Sequence, residues 1–279
     1  MIILPFISLY ILYVVYKQKN KGFNVVHLLF ITYLISIGIG VVANILEIHS
    51  AVLDVSFVSM SYLSIVLLIT MSGFTKFNYN KLKFFKIDNI LVYKILEKFI
   101  ILSGILSLLF YAPFAAIALA GDIGENRMFN AVLQEAFGSF GLINSFAALF
   151  ANTFVLAQTF FFIRLASSDF GQSRMVSFLL LVSSLSYIIY TLAFVGRDGV
   201  ILWSMTFVFQ YLFFEKFMTK VKRKKIKRLG FLLITLAAVP FMVISVSRFG
   251  STDKGTMWYL LNYFYQQTVN FNDQFHPCL

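Results

Sequence analysis

Apolar residues in this chain come in blocks long enough to cross a bilayer, separated by short polar connections. Length and apolarity together predict eight helical spans, at about 2–16, 25–46, 55–74, 99–119, 139–163, 175–194, 200–217 and 230–247. The first is about fifteen residues, against the roughly twenty that a full crossing takes. Short segments of strict alternation, the mark of a membrane barrel, are absent from the pattern. The expected fold class is therefore all-α: a polytopic transmembrane bundle of about eight spans in one membrane domain, residues 1–279. Pro113 and Pro240 fall inside predicted spans and are expected to kink them.

Composition agrees with this pattern, at 59% hydrophobic and 13% charged residues, far more apolar surface than a soluble domain of 279 residues can bury. The net charge of +11 would suggest nucleic acid in a soluble protein, but its placement points elsewhere. Alternate connections carry 19 of the 23 Lys and Arg residues on one side of the predicted bundle and 4 on the other. By the positive-inside rule the 19 lie in the cytoplasm, which places both termini outside. The basic loop 216–228 then reads as a topology determinant lying on anionic headgroups, and no nucleic-acid partner is expected. The connection 75–98 mixes Phe84, Phe85, Ile87, Ile90, Leu91, Val92 and Tyr93 with lysines, which predicts an interfacial amphipathic segment. One cysteine, Cys278, excludes an internal disulfide and a Cys-based zinc site, and no cleavable signal peptide is visible.

Candidate chemistry is confined to the outer connections. No Asp, Glu, Lys or Arg falls in the interior of a predicted span, which counts against ion-coupled transporters and proton pumps. The neutral polar residues Asn44, Asn144, Asn152, Gln158 and Gln210 are expected to bond between helices. His27, His49 and His276 are too widely spaced to suggest a metal site, and no metalloprotease, Walker or nucleophile-elbow motif occurs. What remains is Arg127 in the external loop 120–138, Arg197 in the turn 195–200, and Arg248 at the start of an external tail, 248–279. Arg197 stands beside Asp198 between Gly196 and Gly199, and small flanking residues allow a backbone to approach a ligand closely. A guanidinium held at a membrane face suits a lipid phosphate. For each arginine the alternative is pairing with a neighbouring acid or snorkelling to the headgroups. The tail mixes Trp258, Tyr263 and other aromatics with Asn and Gln, which suits an aromatic belt first and a sugar-stacking surface second.

Gly196-Arg197-Asp198-Gly199 opening a span, with Ser247-Arg248-Phe249-Gly250 at the end of the span after next, resembles the O-antigen polymerase family. The stretches Tyr263-Phe264-Tyr265-Gln266-Gln267 and Asn270-Phe271-Asn272-Asp273 extend the likeness, which covers about residues 175–275 and is closest to oligosaccharide repeat-unit polymerases. The spacing from Arg127 to Gly138 also fits the arginine-to-glycine spacing of an external loop in some members. Members usually have more spans and cytoplasmic ends, so the resemblance implies a truncated member, of uncertain activity by itself.

The resemblance further implies a bacterial inner-membrane glycosyltransferase without cofactor or metal, acting on undecaprenyl-diphosphate-linked oligosaccharide at the outer face. On that reading Arg127, Arg197 and Arg248 bind the diphosphate, and Arg197, Asp198 and Arg248 are catalytic. Asp198 or Asp253 would be the base, with Asp253, Trp258 and Tyr263 as further base or sugar contacts. Partners would be the lipid-linked substrate, membrane lipids, a flippase and a chain-length regulator. The competing reading is a flippase for the same lipid-linked oligosaccharide, which should carry internal repeats and cations within its bundle.

Overall fold

The computed structural model describes residues 3–20, 22–46, 56–76, 81–82, 87–120, 141–167, 173–196, 198–249, 258 and 261, without the side chains at 237, 240 and 244–249. Among these residues there is no strand. The chain is an all-α, multi-pass membrane protein. Seven stretches of the described residues are long and apolar enough to cross a bilayer. The first predicted span, α1 (Ile3–Lys19), falls short of that length at 17 residues.

Two compact units are present, 1–83 with 249–279, and 84–248. In the first, α1 packs against α2 (Val25–Ile45) and α3 (Phe57–Lys76). Asn24 starts α2 in extended conformation and its side-chain oxygen accepts the amides of Val26 and His27, two of the groups that every helix start leaves without partners. The same oxygen accepts the Tyr16 hydroxyl at 3.1 Å and lies 3.0 Å from His27 Nδ1. His27 is thus buried among Tyr13, Tyr16 and Phe23 as part of a helix cap.

In the second unit α4 (Ile90–Ala120) packs against the four helices that follow it. Around it stand α5 (Gly141–Ala151) and α6 (Phe154–Ala166), which share one crossing, and α7 (Arg174–Ser184) and α8 (Ser186–Ala193), which share another. The helix α9 (Asp198–Phe214) follows, and α10 (Lys220–Phe249) closes the unit except for Phe249. Lipid tails are as apolar as leucine, so burial of apolar side chains gives little drive here, and close packing and interhelical hydrogen bonds carry the assembly. Gly104 of α4 meets Ser183 of α7 so closely that a Cβ on it would stand 2.8 Å from the Ser183 carbonyl oxygen. Ser183 donates to the Ile100 carbonyl at 2.9 Å, and Ser107 donates to Ala147 across the α4–α5 contact at 2.9 Å. The outer faces are apolar instead, with Leu142, Phe231 and Ile69 among the most exposed side chains.

Three of the neutral polar residues bond between helices as expected. Asn144 accepts the Tyr111 hydroxyl at 2.7 Å, Gln158 donates to the Trp203 carbonyl at 3.2 Å, and Gln210 donates to Thr159 Oγ1 at 2.6 Å. Asn152 instead bonds within its own segment, to the Ala148 carbonyl.

Two helices run past their predicted starts. The segment 90–98 is the first part of α4, and residues 220–228 of the basic loop are the first turns of α10. Tyr93, Glu97 and Ile100 are buried at helical spacing, as are Ile226 and Gly230, so tertiary contact continues each helix beyond its apolar block. Gly230 is pressed on the Phe207 ring, and Lys222 Nζ donates to the Leu165 carbonyl at 2.9 Å. That ammonium caps one of the carbonyls which the end of α6 leaves free.

Candidate functional site

The turn between α8 and α9 is built from the carboxyl end of α8. Val195 N–H donates to the Leu192 carbonyl at 2.9 Å, and Gly196 N–H donates to the Thr191 carbonyl at 2.7 Å. These two crossed bonds form a Schellman motif, in which the residue after the cap takes a left-handed conformation. Glycine usually fills that position; here it is Val195, with φ 55°. A branched side chain in this region costs about 1–2 kcal/mol. Burial to 1% exposure holds it there, in the same core as Leu192, Ala193 and Val200.

The glycines on either side of Arg197-Asp198 have a different task from conformational freedom. A Cβ on Gly196 would stand 2.9 Å from Asp198 Oδ1 and 3.0 Å from the Thr191 carbonyl oxygen. A Cβ on Gly199 would collide with Thr191 Oγ1 and stand 2.9 Å from both its Cβ and its Cγ2. The space that the two glycines leave is filled by Thr191 and by the Asp198 carboxylate. Asp198 itself is exposed and occupies the first turn of α9, where a negative charge meets the positive end of the helix dipole.

Beneath the turn lies a layer of aromatic rings. Phe194 packs edge to face with Tyr190 at 5.3 Å, and Tyr190 with Tyr111 of α4 at 5.0 Å. Tyr187, one turn further back, stacks on Phe154 at 4.5 Å. This layer joins α4, α6 and α8 next to the turn.

Among the proposed site residues, Asp198 has a placed side chain in this turn. Arg248 lies in the last turn of α10, with its side chain outside the described set. Trp258 is helical and half-buried, and it belongs to the other compact unit. Arg127, Arg197, Asp253 and Tyr263 lie outside the described residues. Among the described residues no three side chains of His, Cys, Asp or Glu come together as a metal site would need.

Sequence reasoning missed three features of this unit. Glu97 of α4 and Arg164 of α6 are buried together, with Arg164 Nη1 3.0 Å from both carboxylate oxygens. Tyr93 donates to the Phe160 carbonyl beside them. These two charges are 67 residues apart, at the ends of their helices, and nothing in the local sequence joins them. The second feature is a pair of helix breaks. The helix α5 gives way to α6 at 152–153, and α7 to α8 at Leu185, each near the middle of its crossing. Ser186 Oγ donates to the Ala151 carbonyl at 3.4 Å, linking the two breaks, and Thr153 Oγ1 donates to the Phe150 carbonyl at 2.7 Å. Side chains thus satisfy two carbonyls at the 152–153 break, which lipid could not do. The third is Thr191. The bond that it accepts from Gly196 uses its backbone carbonyl, which any residue carries, so the sequence held no signal for it.

Fold and composition define the class: an all-α, multi-pass integral membrane protein. Compared with family models, curated proteins and solved structures, the chain matches none.

Proposed function

We propose that this chain acts in polymerising undecaprenyl-diphosphate-linked oligosaccharide repeat units, by glycosyl transfer at the outer face of a bacterial inner membrane. The observation that carries the reading is the exposed Asp198 on the first turn of α9, its carboxylate bent over Gly196 and its neighbour in the chain an arginine. In this reaction an acceptor hydroxyl oxygen attacks the anomeric carbon of the donor sugar. The bond from that carbon to the diphosphate breaks, and the diphosphate leaves with the electron pair. Asp198 takes the hydroxyl proton, and Arg197 and Arg248, with Arg127, meet the charge on the leaving group without a metal. Asp253 is the alternative base, and Asp253, Trp258 and Tyr263 are the candidates for sugar contact. The start of α9 adds its partial positive charge, which favours a phosphate nearby. A flippase would deliver the substrate, and a chain-length regulator would act with the polymerase.

A second reading, a flippase for the same lipid, draws support from the paired helix breaks. Transporters place such breaks near the bilayer midplane, where the substrate site lies. Deleting the gene in its host and restoring it as wild type or as Arg197→Ala separates the two. On the polymerase reading, Arg197→Ala at matched protein level yields single repeat units at the outer face and no long polymer. On the flippase reading, lipid-linked units collect at the cytoplasmic face. Wild-type polymer lengths from Arg197→Ala would remove the first reading.

A further inference from the structure

Thr191 holds the turn in three ways. Its carbonyl accepts the amides of Phe194 at 3.1 Å and Gly196 at 2.7 Å. Its hydroxyl donates to the Ile188 carbonyl at 3.0 Å, which sets the rotamer and so the direction of its methyl group. Its Cβ, Oγ1 and Cγ2 are the three atoms nearest to a Cβ built on Gly199. Thr191 is 6% exposed, so the wedge has no room to retreat. Gly196 and Asp198, the residues on either side of Arg197, are therefore gripped from one point: Gly196 by the carbonyl, and the first turn of α9 through Gly199.

We infer that Thr191 is the positioning residue of this turn, acting through Gly196 and Gly199 to hold the two neighbours of Arg197 in one arrangement. The inference rests on Arg197 and Asp198 being the working residues, yet its geometry can be tested apart from any activity. Serine at this position would keep the hydroxyl and lose the methyl; valine would fill the volume and lose the bond to Ile188. Threonine supplies both, which is a reason for this residue type here.

The experiment reads the rate at which a membrane-impermeant thiol reagent modifies a cysteine at position 197. The chain carries Cys278→Ser and Arg197→Cys, and a separate chain with Asp122→Cys serves as the reference. Gly199→Ala drives a methyl into the Thr191 side chain, so the rate at 197 should change at least several-fold while the rate at 122 stays constant. Adding Thr191→Ala removes two of the three atoms that the new methyl strikes, Oγ1 and Cγ2, and the double variant should return part of the way towards the starting rate. Thr191→Ser should fall between. In chains that keep Arg197 and Cys278, polymer length should follow the same order, lost in Gly199→Ala and recovered in the double variant.

A rate at 197 within twofold of the starting value in Gly199→Ala, or a double variant no closer to it than the single, overturns the inference. Where Gly199→Ala does not accumulate, the rate is read in Thr191→Ala, which removes the wedge without adding an atom. An unchanged rate there overturns it equally. A labelling response with rescue, combined with normal polymer from Arg197→Ala, would leave Thr191 as the positioning residue of the turn and dismiss the polymerase reading.

Discussion

The two ends of α4 handle charge in opposite ways. Near its start, Glu97 is buried against Arg164, and the tyrosine one turn before it bonds to the backbone of α6. Near Tyr111, about 21 Å further along the helix axis, a layer of aromatic rings supports a turn whose aspartate is exposed. The buried pair uses its charges on each other. Such a pair fixes geometry more than it adds net stability, because removing two charges from water offsets most of their attraction. At the turn the fold spends its close contacts on the backbone, through Thr191, Gly196 and Gly199, and leaves the carboxylate open to solvent. One end is arranged for holding helices together, and the other for presenting charge.

The contrast is sharpest if the two ends also face opposite sides of the membrane. In a Cys278→Ser background, an impermeant reagent added from outside should label a cysteine at position 197 and leave one at 168 unlabelled. Labelling of both, or of 168 alone, would break the assignment of faces.

Stability should separate the ends next. Glu97→Ala or Arg164→Ala strands a buried charge and should cost about 3–5 kcal/mol, seen as a lower thermal midpoint in detergent and reduced yield. The paired change Glu97→Leu with Arg164→Met should recover most of that loss. If the single changes leave the midpoint unmoved, the pair is not what joins α4 to α6.

Arg197→Ala should do the reverse. Loss of one group that stabilises a leaving charge lowers rates on the order of a hundredfold or more, while the thermal midpoint should stay within error of wild type. Arg197→Lys should keep only a small part of the activity, since the point charge lacks the planar fork. A large fall in midpoint for Arg197→Ala would mean that the residue serves packing and not substrate.

The smallest effect is expected at Val195. Replacement by glycine relieves about 1–2 kcal/mol of left-handed strain and loses the close packing of one buried side chain, so Val195→Gly should shift stability by no more than about 1 kcal/mol. A loss of several kcal/mol in chemical denaturation would mean that burial dominates at this position and the strain is slight.

The pattern of apolar blocks by itself determined the all-α membrane class and located each crossing, because backbone groups in lipid must bond within their own segment and this demands long apolar helices. It also singled out Gly196-Arg197-Asp198-Gly199 as a place where charge interrupts two apolar blocks, though of the expected turn 195–200 the residues Asp198, Gly199 and Val200 already belong to α9. Tertiary structure alone decided what the turn is made of. By propensity Gly196 is the natural left-handed residue, yet packing around Val195 moves that conformation one place earlier and frees both glycines for close contact. The early starts of α4 and α10 were hidden for a similar reason: hydropathy averages over all sides of a helix, whereas Glu97, Ile226 and Gly230 are buried on one side by a neighbour. The pairing of Glu97 with Arg164 and the facing breaks at 152–153 and Leu185 depend on residues far apart in the chain. Charge type and spacing carry no record of which helix will stand beside which, and only the folded bundle supplies it.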